Sequence, residues 1–298
     1  MTPPRQSTQL GGLKLLTLAI CIGFGLAFVI SNVRSWQLED ADAYWNAALR
    51  IRHGLPLYIP VDPNADEMLA YRYAPWLAWL WVPLTMLPKG VVQVFWSAIL
   101  VAACLWALIP LVQQRTVAAV CLAALLGGLL VRTASTGNVH ALLVAMLVHG
   151  VPRRSGPIWI GVAASLKVAP IAYVLVYLGR REWRRAALAS AVTAVLVAPA
   201  LLYDLSGYPT DPGESFSLLS LAGPVPWAAL AALCVLGALA LARTRWAWGA
   251  ASVAVLSVIP RLELYSLTYL LVGLDARWSR AITRNQAPDD GSGGRRSC

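Results

Sequence analysis

Apolar residues along this chain come in long continuous runs rather than in period-two alternation, and short polar breaks separate the runs. Continuous runs of this kind predict membrane helices, since a transmembrane barrel strand alternates between lipid and lumen. They place spans at about 13–31, 74–88, 91–112, 117–131, 139–150, 157–179, 186–203, 225–242, 246–260 and 264–275. That is about ten, although 117–131 and 139–150 fall short of the ~20 residues that one crossing needs. The first run lacks a small-x-small cleavage site and is read as a retained helix rather than a secretion signal. Residues 1–12 read as a disordered cytoplasmic tail, 13–275 as one polytopic membrane domain, and 276–298 as a basic, then Gly/Ser-rich cytoplasmic tail. The expected class is therefore an all-α polytopic membrane protein.

One polar break is unlike the others. Segment 32–72 is about 40 residues long, where a connector needs only a few. It carries Glu39, Asp40 and Asp42 within four residues, with several aromatics and Arg50, Arg52 and Arg72. It has room for one or two short helices along the membrane surface, and in a helix Asp40, Tyr44 and Ala47 share a face. Trp45, Tyr58, Tyr71, Tyr73 and Trp76 suit an interfacial aromatic belt.

Composition agrees with a membrane chain: 58% of residues are apolar and 13% charged, against roughly 25% charged in soluble domains. The net charge of +10 comes from arginines at the ends of apolar runs, with no aromatic-interleaved basic face, so nucleic acid is not an expected partner. Arg180, Arg181, Arg184 and Arg185 form the densest basic loop; Arg243 with Arg245, and Arg277 with Arg280 and Arg284, form two more. Ten spans put these on the cytoplasmic side and loops 32–72 and 204–224 on the other. Arg153 and Arg154 dissent by falling on the outer side: either the 117–131 and 139–150 pair is misassigned, or those arginines serve outside, for instance on lipid phosphates. The five cysteines have no CxxC spacing and four lie in apolar runs, so neither disulfide nor metal site is expected.

Asp40 and Asp42 are the leading candidates for chemistry. A solvated pair at a membrane edge is the plain alternative, but a carboxylate held among aromatics and arginines suits a general base. An Asp-x-Asp pair also suits a divalent cation through oxygen ligands, so a metal stays possible without being predicted. Lys167 sits near the middle of the 157–179 run, where a charge costs a few kcal/mol and usually faces a cavity or partner. Snorkelling from there would have to bridge about ten residues. Arg261 and Glu263 open the last span and suit either an ion pair or a site. Asn138, in Gly137-Asn138-Val139-His140, is first of all a helix cap. His140 and His149 have no metal spacing, and His53 has no evident partner.

Several stretches together resemble a known family. Asp40-x-x-x-Tyr44-Trp45-x-Ala47-Ala48, Gly54-x-x-Leu57-Tyr58, Tyr73-x-Pro75 and Pro83-Leu84-x-x-Leu87-Pro88 are similar to the start of the actinobacterial polyprenol-phosphate-mannose-dependent mannosyltransferases, GT-C enzymes of the GT87 or DUF2029 type. Gly137-Asn138, Leu166-Lys167-Val168-x-Pro170, Gly179-Arg180-Arg181-x-Trp183-Arg184 and Pro260-Arg261-x-x-x-Tyr265 extend the resemblance over about residues 15–275. It implies a GT-C-like multi-pass plasma-membrane enzyme with an extracytoplasmic active site, a polyprenyl-phosphate sugar donor, a glycolipid or cell-envelope glycan acceptor and no cofactor. Mannose is favoured over arabinose as the sugar. The residue matching the family's catalytic aspartate is Asp40, with Asp42 second. Some relatives place a histidine near the start of a late span, where this chain has Arg261, Glu263 and Tyr265.

The resulting expectation is a hexosyltransferase of inverting type with Asp40 as base. Arg72, Lys167 and Arg261 are expected at the donor phosphate; Tyr44, Trp45 and Tyr58 at the sugar; Asn138 and Tyr265 complete the binding set. Two other classes remain open: a transporter or flippase for a lipid-linked substrate, which needs no catalytic carboxylate, and a non-catalytic cell-envelope partner whose outer loop is a docking surface. No internal repeat or carboxylate within a span favours the transporter.

Overall fold

The computed structural model describes residues 6–60, 70–208 and 218–274. The expected C-terminal tail, with Arg277, Arg280 and Arg284, and the first five residues lie outside the described residues. All regular structure among the described residues is helical. The helices are α1 (Gln6–Arg34), α2 (Glu39–Arg52), α3 (Pro75–Trp81), α4 (Lys89–Val112), α5 (Val117–Ser135), α6 (His140–Gly150), α7 (Gly156–Leu166), α8 (Val174–Gly179), α9 (Trp183–Val197), α10 (Leu218–Ala222), α11 (Pro224–Leu241), α12 (Ala247–Ser257) and α13 (Leu270–Gly273). Short 3₁₀ segments precede α8 (Ala169–Tyr173) and α13 (Leu264–Tyr269) and follow α3 (Val82–Met86) and α9 (Ala198–Leu202). Helix α1 thus begins within the stretch expected as a tail.

Among the described residues, five helices are long and apolar enough to cross a membrane: Gly12–Arg34, Lys89–Val112, Val117–Ser135, Trp183–Leu202 and Pro224–Leu241. Five more are apolar but only 10–17 residues long: His140–Gly150, Gly156–Leu166, Ala169–Gly179, Ala247–Ser257 and Leu264–Gly273. An 11-residue helix such as α7 rises about 16 Å, roughly half of a ~30 Å hydrocarbon core.

The apolar run 157–179, expected as one span, is instead a hairpin of two short legs. Helix α7 stops at Leu166, and Lys167 is extended (φ −135°, ψ 118°). The cause is Pro170, which has no N–H to continue the ladder and whose ring clashes with the carbonyl four residues back, that of Leu166. The chain then returns, so that Gly156 at the foot of α7 lies against Tyr177 near the end of α8. A second hairpin has the same build. Helix α12 ends at Ser257, the chain turns through Pro260-Arg261-Leu262-Glu263, and a 3₁₀ segment leads into α13, whose Gly273 lies against Gly249 at the foot of α12. Each hairpin thus carries a cation at its tip. Tyr173 Oη joins them, donating to the Tyr269 carbonyl at 3.1 Å and meeting Ser252 Oγ at 3.2 Å.

The first hairpin also relocates Arg153 and Arg154. They sit at its foot, beside the loop whose Arg185 guanidinium lies 5.7 Å from the Tyr177 ring. That loop is bonded to the next basic one, Arg180 Nε donating to the Ala242 carbonyl (2.7 Å) and Arg243 Nε to that of Gly179 (3.2 Å). Every described basic loop of the second half therefore gathers at one end. The run 74–88 breaks into α3 and a 3₁₀ segment containing Pro83.

At the opposite end lies the polar segment 32–60 with its continuation from residue 70. The aromatics expected as an interfacial belt are not one. Tyr58, Tyr71 and Tyr73 are buried with Tyr44, Tyr44 packing edge-on against Tyr73 at 5.1 Å and Trp81 at 5.4 Å. The hydroxyls of Tyr58 and Tyr71 find backbone partners: Tyr58 Oη donates to the Tyr73 carbonyl (2.9 Å) and Tyr71 Oη to that of Ala74 (2.7 Å). This aromatic block is the floor on which α2 rests. The loop after α9 meets the same block, with Tyr208 edge-on to Tyr58 at 5.3 Å and Tyr203 Oη accepting from Trp79 Nε1 at 2.7 Å.

The turn between α5 and α6 is the closest approach to α2. Gly137 has φ +79°, and a Cβ there would fall 2.8 Å from Ala41 Cβ and 2.9 Å from Ala41 N. Gly137→Ala is expected to cost about 1–3 kcal/mol through left-handed strain and the clash. The melting temperature of the detergent-solubilised protein reads this directly, and an unchanged value contradicts the packing.

Candidate active site

Helix α2 begins without a side-chain cap: its N-cap residue Leu38 is left-handed (φ 56°) and contributes no capping bond. Another helix end supplies the partners. The N–H groups of Gln37 and Leu38 donate to the Ser135 carbonyl at 3.1 and 3.0 Å, and that of Asp40 to the Thr136 carbonyl at 2.8 Å. The last carbonyls of α5, which lack partners in their own helix, thus take the first amides of α2. Glu39, Asp40 and Asp42 in the first turn and Arg50 and Arg52 in the last suit the dipole of α2. Trp96 Nε1 closes the turn from behind by donating to the Gly137 carbonyl (2.8 Å), and the Val139 N–H donates to Tyr44 Oη (3.2 Å).

This clamp aims Asp40 into a cavity of about 750 Å³. Asn138 Nδ2 donates to Asp40 Oδ2 at 3.1 Å, while Asn138 Oδ1 accepts from the His140 N–H at 2.9 Å. Burial raises the Asp40 carboxyl above the usual carboxylate range; the charge of Lys167, the side chains of Asn138 and Thr136 and the charge of Arg72 each pull it back. The opposite wall comes from the two hairpin tips. Lys167 Nζ donates to Tyr265 Oη at 3.4 Å and lies 4.7 Å from the centre of that ring. Arg261 Nε pairs with Glu263 Oε1 at 3.0 Å, the ion pair that the sequence allowed. Arg72 enters from the segment before α3, its carbonyl accepting from Tyr208 Oη at 3.1 Å.

Six of the expected site residues thus share one cavity: Asp40, Arg72, Asn138, Lys167, Arg261 and Tyr265. The other four are placed elsewhere. Asp42 forms an ion pair with Lys89 (2.9 Å) and accepts from Gln93 Nε2 (3.1 Å), tying α2 to the start of α4. Residues two apart on a helix differ by about 200°, so the two carboxylates of the Asp-x-Asp pair do not converge. Tyr44 is fully buried and Tyr58 nearly so, inside the aromatic block, and Trp45 packs half-buried against the core. None of the four lines the cavity.

The cavity also takes in residues that sequence reasoning passed over: Arg132 in the last turn of α5, Thr136, Tyr73 and Tyr208. Arg132 had a legible signal, an arginine ending an apolar run just before Gly137-Asn138. Tyr208 had none, since it depends on loops far apart in sequence. His140, set aside as isolated, is buried beneath the site, with Nε2 2.8 Å from Thr268 Oγ1 and its ring 4.8 Å from those of Tyr265 and Tyr269.

A second cavity, of about 480 Å³, adjoins the first and shares Lys167, Val168, Arg261 and Tyr265 with it. Its remaining wall is mostly apolar, from Ala169, Ile171, Ala172, Val258 and Ile259. A carboxylate, a cluster of cations and an apolar groove therefore meet around one shared rim.

Comparison with known proteins bears on residues within this arrangement. The model of glycosyltransferase family 87 matches residues 71–210, a stretch that includes Arg72, Asn138 and Lys167. A polyprenol-phosphate-mannose-dependent alpha-(1-2)-phosphatidylinositol pentamannoside mannosyltransferase from Mycolicibacterium smegmatis is 32% identical over 146 residues, 45% of this chain and 35% of that protein. The protein of the same name from Mycobacterium tuberculosis is 25% identical over 218 residues, 67% of this chain and 49% of that protein. The matches thus span half or less of the length of these curated relatives. No solved structure matches. The resemblance seen in the sequence stands: this membrane protein is similar to glycosyltransferase family 87 over residues 71–210 and to polyprenol-phosphate-mannose-dependent mannosyltransferases over part of their length.

Proposed function

We propose that the protein is a membrane glycosyltransferase that moves mannose from a polyprenyl phosphate to a hydroxyl of a glycolipid acceptor, with Asp40 as general base. The observation that carries the reading is the placement of Asp40 across one cavity from Lys167 and Arg261, whose rim opens into an apolar cavity. The acceptor oxygen attacks the anomeric carbon, the bond from that carbon to the phosphate oxygen breaks, and the hydroxyl proton passes to the Asp40 carboxylate. Attack opposite the leaving group inverts the anomeric centre. Polyprenyl phosphate departs with the bonding electrons, and Lys167, Arg261 and Arg72 stabilise the charge it gains. Arginine suits this through its planar fork, lysine as a compact point charge. The prenyl chain fits the apolar cavity between the hairpins.

The names of the relatives favour mannose as the sugar and a phosphatidylinositol mannoside as the kind of acceptor. The clustering of Arg153, Arg154, Arg180, Arg181, Arg184, Arg185, Arg243 and Arg245 at the end away from Asp40 supports a multi-pass protein of the plasma membrane with its site on the extracytoplasmic side. Among the described residues, five helices long enough to cross support the multi-pass reading, and the five short apolar legs, each about half a crossing, meet inside the protein, where broken helices are tolerated around a cavity.

In membranes supplied with radiolabelled polyprenyl-phosphate mannose and a lipid acceptor extract, the wild type is expected to label the acceptor, and Asp40→Asn to lose at least about a hundredfold in rate. Asp42→Asn keeps its turnover and loses at most about 1 kcal/mol of stability, because its ion pair is half-exposed. Arg72→Ala lowers transfer, and full activity there removes Arg72 from the phosphate site. Absence of transfer by the wild type with both mannose and arabinose donors sinks the enzyme reading.

The base works as a carboxylate, so the rate falls as pH drops through the Asp40 pKa. Burial puts that acidic limb above the ~4 of an ordinary aspartate. Removing the cation that pulls the pKa down shifts the limb to higher pH, so Lys167→Gln is expected to move it upward as well as raising KM for the donor. A limb that stays in place shows that the titrating group is not Asp40.

A further inference from the structure

Asn138 was expected to bind substrate, but both ends of its amide are already committed within the protein. Its Oδ1 accepts from the His140 N–H at 2.9 Å, as an oxygen and not a nitrogen can. That contact assigns the amide orientation and leaves Nδ2 to donate to Asp40 Oδ2 at 3.1 Å. The residue is 6% exposed, and its backbone is held on both sides. Trp96 binds the Gly137 carbonyl before it, Val139 binds Tyr44 after it, and Gly137 itself is pressed against Ala41 of α2. The amide therefore cannot swing toward a ligand without losing its bond to the start of α6.

We propose that Asn138 is a positioning residue for Asp40: it fixes the rotation of the carboxylate by holding Oδ2, and it supplies one of the donors that keep a buried carboxylate ionised for proton abstraction. The proposal rests on the reading of Asp40 as the base. Its physical ground is that a carboxylate withdrawn from water stays charged only where donors or cations face it. The charged and titratable groups around Asp40 are Glu39 on its own helix, Arg72 and Tyr73 from the segment before α3, Tyr44 beneath, Arg132 in the last turn of α5, Tyr208 in the loop after α9, Lys167 at the first hairpin tip, and Arg261, Glu263 and Tyr265 at the second. The cations at the hairpin tips are also the groups that a phosphate would claim. Among the described contacts of Asp40, the Asn138 amide is a donor that an anionic substrate does not draw away.

Two variants separate positioning from a merely structural role. Asn138→Ala removes both amide ends. Asn138→Asp keeps the cap on the His140 N–H, since aspartate caps a helix start as well as asparagine does, but sets a second carboxylate against Asp40. The full-length protein in detergent is labelled with dicyclohexylcarbodiimide, which attacks protonated carboxyls, across a pH series, and modification at Asp40 is located by peptide mass. The pH at which labelling falls away is expected to rise in Asn138→Ala and further in Asn138→Asp, while Asn138→Asp melts as the wild type does. In the transfer assay kcat falls about ten- to a hundredfold, the loss of one bond to a charged group, with KM for donor and acceptor within about twofold. A labelling midpoint that does not move in either variant overturns the proposal, and so does a raised KM with unchanged kcat, the mark of a sugar ligand. If the midpoint moves but the wild type transfers no sugar, the positioning stands and the glycosyltransferase reading falls.

Discussion

The end of one helix completes the beginning of another at the centre of this protein. The last carbonyls of α5 lack acceptor roles within their own helix, and the first amides of α2 lack partners within theirs. Ser135 and Thr136 join the two sets through the N–H groups of Gln37, Leu38 and Asp40. This junction substitutes for the missing side-chain cap at Leu38 and forces the next residues of the turn, Gly137 and Asn138, against the first turn of α2. A carboxylate in that first turn is then held among buried groups with a donor already aimed at it. Nearly everything else at the site is arranged around that fixed point.

The hairpins answer the complementary problem of bringing cations into an apolar body. A lysine inside a continuous apolar helix would have no polar partner at its depth. Breaking the helix at Pro170 frees backbone groups, and irregular backbone within a membrane protein is tolerated where it lines a cavity. Lys167 at the first break and Arg261 at the second both open onto the cavity that holds Asp40, and Tyr265 and Glu263 give each a nearby partner. Tyr173 locks the two hairpins together, so the separation of the two tips is set by packing in the protein core. The same tips form the lip of the apolar cavity, so one pair of cations borders both a polar and an apolar space.

Aromatic residues of the polar segment do a different job from the one their position near a membrane edge suggested. Tyr44, Tyr58, Tyr71 and Tyr73 fill the space between α2, α3 and the loop after α9, and the hydroxyls of Tyr44, Tyr58 and Tyr71 are spent on backbone carbonyls or amides. Such a block is rigid because aromatic rings bury large area with few torsions and pack edge-to-face. It holds α2 at a fixed height above the membrane helices. Tyr44 therefore serves the site by supporting Asp40 from below, with no face left for a sugar.

The sequence by itself determined the class and pointed to several of the residues that line the cavity. Continuous apolar runs leave helices as the only regular structure that satisfies their backbone in lipid. A lysine in the middle of such a run had to face something polar, so Lys167 was legible from cost alone as a residue that faces a cavity or a partner, and the long acidic segment marked out Asp40 and Asp42 without choosing between them. Tertiary structure decided what local patterns cannot carry. Asp40 and Asp42 are the same residue type two positions apart, and only the junction with α5 turns the first into the cavity and the second onto Lys89. The run 157–179 has the length of one span, and only the return of the chain after Pro170 makes it two half-length legs and brings Arg153 and Arg154 to the end with the other arginines. Composition and periodicity report what a segment can bury and at what cost. Which neighbour satisfies it is set by contacts between residues nearly a hundred positions apart, as between Asp40 and Asn138, and those exist only in the folded chain.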